Sequence, residues 1–363
     1  MSTVSLDATF SVALLLGAQT AQGAFPASTI HEVYQYAWLR DGSWCAYALD
    51  GAGNVHAADA WHEWVATTLV AHADRVREAT VAALAGNPNP RVMLPARFTL
   101  SGEEEPPAPE EWPNFQTDCY GFWLWAAADH VNRGGVLSDT LAEAVGLVIQ
   151  YLLAVGHQPC YDCWEEHPGH RHTSSLAAVA AGLRDAGSLV GIFAASTRSE
   201  ELLQLITGPE HTLAGGLVRY PGDTRVDGSL LWLGPPFNLL PVTGDLYRTT
   251  YQRVVDELYR PGGGVRRYLG DTFYGGSQWI LLAASLGWAA LQLGDRGLAD
   301  DLLAWIESAA TDQGYLPEQV ASNVQSAHML AYWQDHWGST ATPLLWSHAM
   351  HLVLLDELRR AGQ

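Results

Sequence analysis

The chain has 363 residues, of which 48% are hydrophobic and 16% charged, and its formal net charge is −20. That balance describes a globular protein with a sizeable core rather than a disordered chain. With 39 acidic residues against 19 arginines and no lysine, the chain lacks the positive surface that nucleic acid, anionic membrane and phosphorylated substrates require; a neutral substrate fits better, although solubility alone also explains the charge.

Taken in chain order, the first element is an apolar stretch, Thr9 to Gln19, read as a core helix. Its Ser11 to Ala18 portion has the look of an export-signal core, but no basic residue precedes Arg40, and such signals begin with positive charge. No run of 18 or more apolar residues marks a membrane helix. Cys45, Cys119, Cys160 and Cys163 are too few for a disulfide scaffold in a chain of this length, so a cytoplasmic location is expected. Helical spacing of apolar residues then recurs over Ala57 to Ala85, Gly121 to Val131, Thr140 to Val155, Ser174 to Ala186, Ser188 to Thr207, Thr249 to Leu258, Ser277 to Leu293, Ala299 to Ala310 and Leu344 to Arg360. Gly86 to Pro90, Ser101 to Pro113, Gly208 to Leu240, Gly262 to Gly276 and Gln313 to Pro343 read as connectors. Several exceed simple turns, and long connections in a compact domain tend to carry function. The acidic, proline-rich Gly102 to Glu111 reads as a loop, not a domain boundary. The pattern predicts one all-α unit over 1–363, with no sequence repeat but with helices spaced to suit a ring of pairs.

Chemistry concentrates in the connectors. Tyr161-Asp162-Cys163-Trp164-Glu165-Glu166-His167 sets two carboxylates after a Trp. Cleaving a glycosidic bond requires a carboxylic acid to protonate the leaving oxygen and a second carboxyl across the sugar. The distant candidate for that second group is Glu318, in Pro317-Glu318-Gln319. Tyr34 to Gly42 places Arg40 and Asp41 beside alternating aromatics, a composition that Gln116 to Gly121 and Arg267 to Thr272 repeat. An Arg fork and a carboxylate can share sugar hydroxyls while aromatic faces cover the C–H side of the ring; the plainer reading of each motif is a salt-bridged helix start. A rival reading takes Cys160, Cys163, His167, His170 and His172 as a zinc cluster, although five ligands so closely spaced make poor tetrahedral geometry. A non-catalytic sugar-binding protein is a third.

The segments YQYAWLRDGSW (Tyr34 to Trp44), QTDCYG (Gln116 to Gly121), CWEE (Cys163 to Glu166), RRYLGDTFYGGSQW (Arg266 to Trp279), PEQ (Pro317 to Gln319) and PLLWSHA (Pro343 to Ala349) together resemble the glucoamylase family, glycoside hydrolase family 15, in the family's order and over almost the whole chain. The resemblance implies an (α/α)6 barrel with its site in loops at one end, no cofactor and no metal, and inverting release of β-glucose from a non-reducing end. It implies that Glu165 is the general acid and Glu318 the general base. Arg40 and Asp41 would grip the terminal glucose, Tyr34 and Trp38 line that subsite, Glu166 and Arg267 contact the next sugar, and Trp164 and Trp279 form walls. Relatives often carry a β-sandwich before the barrel or a starch-binding module after it. Neither is expected here, which makes raw starch a poor substrate. An aromatic insertion, Asn323 to Trp337, is expected to narrow the sugar-entry side.

For inversion the acid must hold its proton while the base is ionised, and the two carboxyls should stand roughly 6.5 to 9.5 Å apart. Glu166 is expected to raise the pKa of Glu165 by like-charge repulsion. A neutral α-gluco-oligosaccharide or disaccharide is the expected partner, an α-1,6 linkage of isomaltose type being favoured over α-1,4 linkages and trehalose. The sequence says nothing of oligomeric state.

Overall fold

Residues 6–86, 92–105 and 115–362 are described by the computed structural model. The connectors at Gly86 to Pro90 and Ser101 to Pro113 lie outside the described residues from 87 and from 106 onward, as does the acidic loop Gly102 to Glu111 from 106. In chain order the helices are α1 (Ala8–Ala18), α2 (Leu39–Gly51), α3 (Val55–Ala71), α4 (Ala73–Leu84), α5 (Asp118–Asn132) and α6 (Asp139–Val155). They continue with α7 (Thr173–Val190), α8 (Phe193–Ile206), α9 (Asp245–Arg253), α10 (Ile280–Gln292), α11 (Arg296–Ser308), α12 (Ala327–Trp337) and α13 (Leu345–Arg360).

Burial sorts these helices into two rings. In α10 every residue from Ile280 to Ala290 is buried, the signature of a helix surrounded on all sides, whereas α11 buries one stripe, Ala299, Leu302 and Ile306. Contacts run α2, α5, α7, a 3-10 turn at Gly228–Leu233, α10 and α13, and α13 returns to α2 to close the inner ring. Outside it, α3, α8, α9 and α11 each pack on the inner element that precedes them, α6 wedges between α3 and α7, and α1 packs on α13. Among the described residues this makes an (α/α)6 barrel whose fourth inner member is a 3-10 turn instead of an α-helix.

Helix ends follow local chemistry. Asp7 accepts a hydrogen bond from Phe10 N (2.8 Å) to start α1, and Ser138 accepts from Leu141 N (3.0 Å) to start α6. The pattern places a boundary near Gly187, but α7 runs on to Val190 because Gly191, with φ 72°, supplies the left-handed C-cap. Ala57 to Ala85, expected as one helix, divides at His72 into α3 and α4. Two helices fall where none is expected: α2, which carries Arg40 and Asp41, and α12, within the aromatic insertion.

Alternating inner and outer elements make the inner ones parallel, and their N-terminal ends gather on one face. Two short ribbons knit that face together. β1 (Ala37–Trp38) pairs with β2 (Arg97–Phe98) just before α2, and β5 (Gln278–Trp279) pairs with β6 (Gln319–Val320) just before α10. A third ribbon, β3 (Thr212–Leu213) with β4 (Gly216–Leu217), lies beside α9.

The tightest approach in the inner ring is between α5 and α7. A Cβ at Gly182 would stand 2.4 Å from Gly121 O, and one at Gly121 would stand 2.5 Å from Ala178 C and O. Alanine would add about 1 kcal/mol of helix propensity over glycine, but here it meets backbone that cannot step aside, and overpacking of this kind costs about 1–3 kcal/mol or more. Gly182→Ala is therefore expected to lower stability, read as a fall in the urea midpoint with an unchanged slope.

Candidate active site

The gathered N-terminal ends enclose a cavity of about 470 Å³. Tyr34, Trp38, Arg40, Asp41, Trp164, Glu165, Glu166, Arg267, Trp279 and Glu318 all line it, so all ten residues expected to act on the sugar reach one chamber. Helix N-termini carry partial positive charge, which suits a face crowded with carboxylates.

Glu165 and Glu318 are held by neighbours on one segment. Trp38 Nε1 donates to Glu165 Oε1 (2.9 Å) and Tyr34 OH donates to Glu318 Oε1 (3.0 Å). The two rings meet edge to face, 5.7 Å between centroids. Gln116 Nε2 adds a second donor to Glu165 (3.2 Å), and Gln319 Nε2 one to Glu318 (3.3 Å). Burial pushes both carboxyls above the ordinary range, Glu318 to about 7, while the donors and Arg40 or Arg267 pull against it. A carboxyl near neutrality is one that can give or take a proton at working pH.

The expectation that Glu166 raises Glu165 is corrected here. Glu165 adopts a left-handed backbone, φ 65°, and the turn sends the two side chains apart. Burial, not its neighbour's charge, is the principal cause of the Glu165 shift. Glu166 turns to Arg267 Nη2 (3.0 Å), to the Tyr268 hydroxyl and to Arg219 Nη2 (3.5 Å). Burial alone would raise it; these donors outweigh burial and leave it below the ordinary value. A left-handed non-glycine residue stores strain, and Asp162 balances it. Its Oδ1 accepts from Trp164 N (3.0 Å) and Glu166 N (2.9 Å), and its Oδ2 meets Arg219 (3.3 Å). Arg219 and Trp164 Nε1 both donate to Asp227, each at 3.1 Å.

At the closed end, Arg40 Nη1 donates to Asp118 Oδ2 (2.9 Å) and Gln116 Oε1 (3.0 Å). Arg40 Nε lies 3.6 Å from Asp41 Oδ2, an ion pair too long for a hydrogen bond, and the indole nitrogens of Trp279 and Trp346 are enclosed without hydrogen-bond partners among the described residues.

The Glu318 segment is fastened by its backbone. Leu316 N donates to His348 Nε2 (2.9 Å), Leu344 N to Leu316 O (3.0 Å), Ser347 Oγ to Pro317 O (2.8 Å) and Glu318 N to Ala341 O (2.9 Å). The bond from Leu316 assigns the His348 proton to Nδ1, where it faces Ser11 Oγ on α1 (3.0 Å); Ser11 in turn lies 3.0 Å from His351 Nδ1.

Thr272, Phe273, Trp333, Trp337 and Trp346 also line the cavity; of these, Trp333 and Trp337 fall in the aromatic insertion expected to narrow the sugar-entry side, and the other three were assigned no role from the sequence. Trp346 lies inside a motif that resembles the family's, and Gln116 in another. The two α12 tryptophans carry only their aromatic composition as a signal. The zinc reading finds no geometry in its favour. His167 and His170 face solvent, Cys160 and Cys163 are buried free thiols, and His172 donates through Nε2 to His167 O (2.9 Å). Among the described residues no three His, Cys, Asp or Glu side chains are arranged to hold a metal ion.

The profile of the family described as Glycosyl hydrolases family 15 matches residues 11–278. The chain belongs to glycosyl hydrolase family 15. The isomaltose glucohydrolase of Kribbella flavida is 39% identical over 96% of this chain and 91% of its own length. A solved glycosidase variant in complex with glucose superposes with a TM-score of 0.92 at 39% identity, covering 97% of this chain and 96% of its own. A glucoamylase from Saccharomycopsis fibuligera shares the fold, with a TM-score of 0.77 at 15% identity over 99% of this chain and 98% of its own. Membership makes this family 15 chain a glycosidase.

Tyr34 favours the ionised form of Glu318 through its hydrogen bond. Tyr34→Phe is expected to move the Glu318 carboxyl still higher than about 7, read by carbon NMR of the labelled carboxyl across a pH series. A carboxyl that titrates unchanged would contradict this account.

Proposed function

We propose that the cavity hydrolyses the terminal bond of short α-glucosides from the non-reducing end with inversion, an α-1,6 bond of isomaltose type being preferred. The observation that carries this reading is the pair of carboxyls, Glu165 and Glu318, hung from Trp38 and Tyr34 at 2.9 and 3.0 Å in one cavity walled by tryptophan. The terminal glucose occupies the end lined by Arg40, Asp41 and Trp346, where the guanidinium donates to its hydroxyls, Asp41 accepts and the Trp346 face covers its C–H side. Glu165, whose pKa burial raises, gives its proton to the glycosidic oxygen as the C–O bond breaks. A water on the opposite face attacks the anomeric carbon and yields its proton to Glu318, so that glucose leaves as the β anomer and the second sugar leaves with a free hydroxyl. Glu166 and Arg267 bind that second sugar, while Trp164 keeps the wall between them. Support for the α-1,6 linkage comes from the similarity to an isomaltose glucohydrolase and, for glucose, from the likeness to a glucose-bound glycosidase.

In this scheme Glu318 acts ionised and Glu165 acts protonated. Loss of either state ends activity, so kcat/KM against pH should be bell-shaped, with both limbs displaced upward from the ordinary carboxylate range because burial raises both carboxyls. Glu165→Gln and Glu318→Gln are each expected to lower turnover by about 100-fold or more with the fold retained. Proton NMR of the nascent sugar, with isomaltose, maltose and trehalose as substrates, tests the stereochemistry and linkage together. Initial α-glucose, or faster cleavage of maltose or trehalose than of isomaltose, would overturn the corresponding part of the proposal.

A further inference from the structure

Helix α12 has no buried residue, so it adds little to the core. It nevertheless presents Trp333 and Trp337, one helical turn apart, to the cavity. Trp333 is pinned: its Nε1 donates to Thr272 O (3.0 Å), and its ring meets Phe273 edge to face at 5.1 Å. Trp337 keeps 49% of its surface exposed, which places it at the mouth, opposite the closed end formed by Arg40, Asp41 and Trp346.

The helix is fixed in place, not hinged. Gln325, just before it, accepts from Gly270 N (2.9 Å) and donates to Tyr268 O (3.0 Å). Gln325 N and Ser326 N both donate to Gly275 O, at 2.7 and 3.0 Å. Close docking requires the two glycines. A Cβ on Gly275 would meet Ser326 O at 2.5 Å, and one on Gly276 would meet Gln325 Nε2 at 2.4 Å. Both glycines are also left-handed, with φ 72° and 67°. The clamp thus ties α12 to the loop that carries Arg267 and Tyr268, the partners of Glu166.

We infer that α12 is the outer wall of a leaving-sugar subsite that admits one sugar ring against Trp333 and Trp337 and turns longer chains away. The substrate class is then the neutral disaccharide, not the oligosaccharide; this rests on the hydrolytic reading above. An indole face suits the C–H side of a pyranose, and a rigid wall discriminates by excluding the longer competitor as much as by binding the shorter one.

The test compares kcat/KM for isomaltose and isomaltotriose in the wild-type enzyme, Trp337→Ala, Trp337→Phe and Gln325→Ala. The wild type should favour the disaccharide. Trp337→Ala should raise KM for isomaltose about five- to tenfold, with a smaller loss on the trisaccharide, so that the ratio moves toward isomaltotriose by about fivefold. Trp337→Phe should recover most of the preference, and Gln325→Ala should shift the ratio in the same direction by releasing the wall. A ratio unchanged within about twofold in both Trp337→Ala and Gln325→Ala, with isomaltose still cleaved, overturns the wall and leaves the hydrolytic reading standing. Failure of the wild type to cleave any α-glucoside overturns that reading, and the wall with it; this is seen before any variant is made.

Discussion

The cavity depends on arginines buried in an acidic protein. Arg40, Arg97, Arg219 and Arg267 are all buried, and each holds a carboxylate that burial would otherwise leave uncompensated. Arg40 bonds Asp118 at 2.9 Å across the starts of α2 and α5, and Arg267 bonds Asp271 at 2.7 Å while reaching Glu166. Arg219 joins Asp162 to Asp227. Arg97 bonds Glu105 at 2.8 Å and lies 4.6 Å from the ring of Trp38, the side chain that donates to Glu165. Guanidinium suits this task because it stays charged and fixes two directions at once. Removing one such group would unbalance a buried charge and release an aromatic wall in the same stroke.

Two kinds of carboxylate result. Glu166, whose arginine and tyrosine partners outweigh burial, lies below the ordinary value and behaves as a fixed anion. Those satisfied mainly by neutral donors, such as Glu165 and Glu318, keep access to both protonation states. Glu165 and Glu166 are adjacent in the chain but belong to different classes, because the left-handed turn at Glu165 aims one at Trp38 and the other at Arg267 and Tyr268.

Much of this was legible in the sequence, and the gaps have physical causes. Outer helices such as α11 show a single apolar stripe, so spacing finds them. Helix α2 escapes because it lines the site: Arg40, Asp41 and Ser43 are polar yet buried, which spoils any stripe. The 3-10 member of the ring, Gly228–Leu233, is too short for periodicity. Helix α12 escapes for the opposite reason, since it buries nothing and its two tryptophans, Trp333 and Trp337, face a cavity, not a core. The ten site residues stood out because tryptophan, arginine and paired carboxylates are seldom interleaved without a task. Trp346 and Gln116 sit in recognised motifs, but only the closed ring puts Trp346 on the cavity wall and Gln116 against Glu165. The error over Glu166 came from reading chain adjacency as spatial adjacency, which a positive φ undoes.

Barrel closure also bears on how the protein is made. The inner ring is completed when α13 meets α2, and the Glu318 segment takes its backbone hydrogen bonds from Leu344, Ser347 and His348, whose ring is buttressed by Ser11 of the first helix. These contacts join the two ends of the sequence and must wait for long-range pairing, which is slow. A nascent chain that lacks α13 can already have formed the turn around Glu165, but it leaves Glu318 unfastened and the apolar flank of α1 uncovered. Maturation of the site and burial of that flank are therefore a single event, timed by the arrival of α13.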